Sequence, residues 1–84
     1  MKVYEIVKLI DGSFCNYLMN KVYSSKEDAD KEIDRLIDIT IYRYRNAKVI
    51  DNLTSSGGRN VQIVDKDDEL KIYEWFGYNV LEVI

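Results

Sequence analysis

The chain contains no histidine, no proline and a single cysteine, Cys15, and each shortage removes a class of chemistry. Without histidine it lacks the commonest general base near neutral pH and the commonest metal ligand. A lone cysteine cannot close an internal disulfide, which excludes a stapled secreted scaffold and fits a reducing cytoplasm. With no histidine to activate it, Cys15 reads as a small buried hydrophobe and not as a nucleophile. Alanine occurs only at Ala29 and Ala47, while Ile, Lys, Asn, Asp and Tyr abound. That usage follows A/T-rich codons and suggests a low-GC bacterium, its phage or a plasmid as the source.

An excess of one charge sign is also missing. Twelve Lys and Arg against 15 Asp and Glu leave a net charge of −3, which counts against a dedicated nucleic-acid binder. The charges are too mixed for a membrane span. Glu5 and Lys8 interrupt the apolar stretch after Lys2 that a signal peptide would require. A cytoplasmic location is therefore expected.

What is present suffices for one small domain, 1–84. A chain of this size buries only roughly 60% of its unfolded surface, so its stability is marginal and a partner subunit would help. Residues 2–10 are rich in Val, Ile and Tyr and read as a strand. Asp11-Gly12 is a hairpin signal, because both central residues of a type I′ turn need positive φ. Residues 14–23 read as the return strand, with Phe14, Leu18 and Val22 on one face and Cys15, Tyr17, Met19 and Tyr23 on the other.

Ser24 and Ser25 offer N-caps, and Asp28 completes a weak capping box with Ser25. Ala29, Ile33, Leu36, Ile37, Thr40, Ile41, Tyr44 and Ala47 then recur at helical spacing. They predict a helix of about six turns, roughly 33 Å long. Residues 51–60 read as a loop, 60–64 as a short strand and 65–68 as a turn. Residues 69–76 read as the cleanest strand, with Leu70, Ile72 and Phe76 on one face and Lys71, Tyr73 and Trp75 on the other. Gly77 is expected to break it, leaving 78–84 as a last strand. The expected fold class is α+β, an antiparallel sheet of four or five strands with one long helix on one face.

Three groups of side chains stand out. Glu27, Asp30, Asp34 and Asp38 form an acidic ridge on the helix. Like charges at this spacing cost roughly 0.2–0.5 kcal/mol per pair, and a row of carboxylates resembles a phosphate backbone. The plainer reading is a solvated face relieved by Lys26 and Lys31. Arg43, Arg45, Lys48 and Arg59, interleaved with Tyr42 and Tyr44, could grip a nucleic-acid strand. Cations near a helix C-terminus are, however, favoured by the macrodipole alone. Tyr73 and Trp75, with Tyr17, are candidates for the sheet face away from the helix, where aromatics are frequent interface anchors.

No cofactor or metal set is expected. Asp65, Asp67, Asp68 and Glu69 lack the length, glycine and closing glutamate of a calcium loop. Ser55-Ser56-Gly57-Gly58-Arg59 has no P-loop lysine behind it. The residues thus point to a non-catalytic protein-binding module, in keeping with a phage or mobile-element product that inhibits or modulates a host protein. Its partner surface would comprise Glu27, Asp30, Asp34, Asp38, Tyr42, Tyr73 and Trp75. The alternative is a small nucleic-acid-binding regulator using Arg43, Arg45, Lys48 and Arg59. Ile39, Tyr42 and Trp75, apolar residues outside the core pattern, further suggest a homodimer.

Overall fold

The structure, a computed structural model, describes residues 1–10 and 16–84, and side chains outside residues 9–20. Strands β1 (Lys2–Ile10) and β2 (Asn16–Tyr23) are followed by helix α1 (Lys26–Ile41). Strands β3 (Ala47–Leu53), β4 (Arg59–Asp65) and β5 (Ile72–Glu82) complete the chain. The strands form one antiparallel sheet in the order β2-β1-β5-β4-β3. One helix thus packs on one face of a five-stranded sheet, the α+β architecture that the apolar spacing implies. The expected Asp11-Gly12 turn, Phe14 and Cys15 lie outside the described residues, as do the side chains of Tyr17, Leu18 and Met19. No helix of the described residues is long and apolar enough to cross a membrane.

The helix starts where its cap residue places it. Ser25 is extended, at φ −119° and ψ 130°, and its hydroxyl accepts the Asp28 N–H at 3.4 Å. It ends earlier than the 3.6-residue pattern predicts. Sixteen residues rise about 24 Å. Tyr44 and Ala47, expected on the helical stripe, are off the helix. The Arg43 N–H closes a turn on the Thr40 carbonyl at 3.0 Å, and Ala47 opens β3 opposite Asp65. Ala47 is buried and Tyr44 half-buried for tertiary reasons, and a spacing of three mimics helical periodicity.

Strand β3 takes in Asp51, Asn52 and Leu53, the first part of what reads in sequence as the loop 51–60. Its Asp51 and Asn52 are poor strand formers. It exists because β4 offers a ladder with which its seven residues pair in unbroken register, from Ala47↔Asp65 to Leu53↔Arg59. Nor does Gly77 break β5. It sits mid-strand, opposite Val7 on one side and Asn60 on the other. Leu70, expected on a strand face with Ile72 and Phe76, lies instead in an exposed turn before β5.

The core is the contact of the helical stripe with the three central strands. Ala29, Ile33 and Leu36 meet Ile6 of β1, Val61 and Ile63 of β4, and Phe76 and Tyr78 of β5. Tyr4 packs edge-on against Tyr78 with ring centres 5.5 Å apart.

Gly77 has a specific steric role here. A Cβ at this position would fall 1.9 Å from the Arg59 carbonyl oxygen and 2.9 Å from its carbon, and backbone atoms cannot rotate away. Gly77→Ala is expected to lower stability by about 1–3 kcal/mol, read from the midpoint of urea unfolding. Gly57→Ala is the control: Gly57 has φ +88° with only a Val80 methyl at 3.9 Å, so its cost is the left-handed backbone alone, about 1 kcal/mol. Equal midpoints for Gly77→Ala and the unaltered chain would remove the steric argument.

Candidate functional site

The acidic ridge and one member of the basic cluster, separate in the sequence, meet in space. Arg59 enters from the start of β4 and its guanidinium is largely buried. It holds Asp51 of β3 through two hydrogen bonds, Nε–Oδ1 at 3.0 Å and Nη2–Oδ2 at 2.6 Å. It also reaches Asp34 at 2.9 Å and Asp30 at 3.3 Å. Donating to Asp51 keeps the Arg59 pKa above its ordinary value; burial opposes this and the bond to Asp34 reinforces it.

Asp30 additionally accepts the Tyr78 hydroxyl at 2.8 Å and the Lys26 ammonium at 2.9 Å. Burial tends to raise its pKa, but the bonds from Lys26 and Tyr78 outweigh that and hold it below the ordinary value. Glu27 pairs with Lys31 at 3.6 Å, and Asp38 is exposed. The ridge is thus no continuous free anionic stripe: its centre ties the helix to β3 and β4.

The other cations are placed similarly. Lys48 pairs with Glu69, and Arg43 reaches Glu74 at 3.6 Å. Arg45 is exposed and makes no ion pair with a described residue. Glu74 went unnoticed in the sequence although a charge at an inward strand position was its signal. It is buried under the end of the helix, with Lys8 at 2.8 Å and the Tyr44 hydroxyl donating at 3.0 Å.

Tyr73 departs from the expected outer face. Between the pairs Ile63↔Glu74 and Val64↔Ile72, β5 carries one residue more than β4. This bulge re-aims Tyr73, whose ring stacks on Tyr44 at 4.5 Å and whose hydroxyl donates to Asp65 at 2.7 Å. Tyr42, by contrast, is 91% exposed at the helix C-cap.

Trp75 does lie on the helix-free face, because Phe76 and Tyr78 turn inward and alternation sends Trp75, Gly77 and Asn79 outward. A hollow of about 260 Å³ lies there, bordered by Val7, Thr54, Asn60, Trp75 and Asn79. None of these five is charged. Lys8 and Arg59, which also border it, direct their charged ends to carboxylates on the helix side. Asn60 Oδ1 is enclosed and finds no donor among the described residues. The sequence nominated Trp75 but not the hollow, which depends on three strands meeting in register. No family model matches the chain, and neither a curated protein nor a solved structure matches it.

Proposed function

We propose that the chain is a protein-binding module whose docking surface is the helix-free face around Trp75. The observation that carries this reading is the uncharged hollow over Gly77, in a chain that is 32% charged. Interface centres are depleted of charge and enriched in aromatics, and an anchor side chain of one partner commonly fills a pocket of the other. The hollow is smaller than a typical small-molecule pocket and suits a single inserted side chain. Asn60 adds a polar side chain at its border. On this reading the chain acts by occupying a surface of another protein, as an inhibitor of a host protein would, and turns over no substrate. The nucleic-acid reading has less support, because Arg43, Lys48 and Arg59 are already engaged by carboxylates.

Affinity capture from host lysate, with and without nuclease, tests the proposal. The captured species is expected to be a protein that resists nuclease and is lost with Asn79→Arg, which places a charge at the hollow's border. Trp75, the sole tryptophan, is expected to shift its emission to the blue when that protein is added back. Capture that survives Asn79→Arg but disappears with nuclease or Arg45→Glu would overturn the reading in favour of nucleic acid.

A further inference from the structure

The two edges of the sheet differ. At one, β2 pairs irregularly with β1: Glu5↔Val22 is followed by Val7↔Leu18, so β2 carries two extra residues there. Such irregularity blunts an edge against pairing with another chain. At the other, β3 runs seven residues without bulge or proline, and among the described residues it pairs with β4 alone. Its outward N–H and C=O groups form a regular, unpaired row. Val49 and Leu53 remain exposed on its helix face, Leu53 at 73%.

We propose that β3 pairs antiparallel with β3 of a second copy of this chain, joining two five-stranded sheets across a twofold axis at Ile50. The register follows from geometry. Directly opposed residues in an antiparallel pair point to the same side of the sheet, so the axis must pass through a residue and not between two. Only an axis at Ile50, the middle residue of Ala47–Leu53, lets all seven residues pair. Ile50 then faces its own copy, Val49 faces Asp51, Lys48 faces Asn52, and Leu53 covers Ala47. No like charges are directly opposed. The two Asp51 residues become diagonal neighbours, and each is already bound by Arg59 of its own chain. This dimer uses neither Ile39, Tyr42 nor Trp75, and it leaves the Trp75 face open for the partner proposed above.

The experiment exploits the axis. Ile50 is half-buried on an edge strand, where a lysine stem can lie along the sheet and keep its charge in water. Ile50→Lys and Ile50→Glu each set two like charges face to face in the dimer. Sedimentation at tens of micromolar should give the unaltered chain twice its 9.9 kDa mass, each variant the single mass, and their equimolar mixture the doubled mass again. Recovery in the mixture also shows that both variants are folded. Hydrogen exchange on the unaltered chain supplies a measurement free of substitution: β3 amides should exchange more slowly as concentration rises. The single mass for the unaltered chain at these concentrations overturns the proposal, and so does a mixture that stays monomeric while both variants melt cooperatively.

Discussion

Leu36→Ala is expected to leave the chain largely unfolded at physiological temperature, whereas Tyr42→Ala, six residues on, should melt with the unaltered protein. Leu36 is 7% exposed at the centre of the helical stripe, among Ala29, Ile33 and the sheet residues of the core. Truncation there removes the transfer free energy of the lost methyl groups and leaves a cavity, together about 2–5 kcal/mol. A small domain has about 5 kcal/mol in total, so the loss is a large share of what holds it folded. Tyr42 projects into solvent beyond the last helical turn, and a surface change of this kind shifts stability by less than about 0.5 kcal/mol. Thermal melts of both variants in monomeric samples decide the matter. Equal destabilisation would mean that the helix is packed on two faces.

Arg59→Ala is the second large expected effect, about 3 kcal/mol at neutral pH. Removing one partner of a buried ion pair strands the remaining charge, typically at a cost of about 3–5 kcal/mol. Here the lower end applies, because Asp34 and Asp51 are partly exposed and water screens them. The variant leaves three carboxylates, Asp30, Asp34 and Asp51, near one another without their shared cation. The effect should depend on pH in a definite direction. The Asp30 pKa in the fold lies below its ordinary value of 3.8. Its contribution to stability is therefore fully present above that value and is lost as pH falls through the depressed one. Arg59 adds to that lowering behind Lys26 and Tyr78, so part of the gap between Arg59→Ala and the unaltered chain should close below about pH 4. Urea midpoints at neutral and acid pH measure it, and a gap that stays constant would show that Arg59 acts only through its apolar stem.

The position of Arg59 also shows how the candidate site relates to the sequence. Asp30 and Asp34 read as a ridge, Arg59 as part of a basic cluster, and both groupings were built from neighbours along the chain. Their actual partners lie far off along the chain, across the layer between helix and sheet. Asp51 and Arg59 carry a nearer signal: they flank a Gly-Gly turn, where hairpin strands pair. Trp75 was legible as an outward aromatic because strict alternation with Phe76 fixes its face. Tyr73 was not, because a single extra residue in β5 cancels the alternation, and a bulge is a property of two strands together.

The sequence by itself determined the elements whose stability is local or whose pattern is long. Ser25 and its following turn set the start of the helix, the 3.6-residue stripe set its buried face, and the Val-, Ile- and Tyr-rich run of residues 2–10 set β1. Tertiary structure alone decided the rest. The helix stops at Ile41 because Tyr44 and Ala47 find burial against Tyr73 and β4. Strand β3 forms from weak strand formers because an edge strand draws its stability from the ladder of its neighbour. Strand β5 runs through Gly77 because the backbone of Arg59 leaves no room for any side chain there. A periodicity records which residues avoid water, but a ladder, a bulge and a close backbone approach each require two segments. Which two segments meet is fixed only when the whole chain has closed around its core.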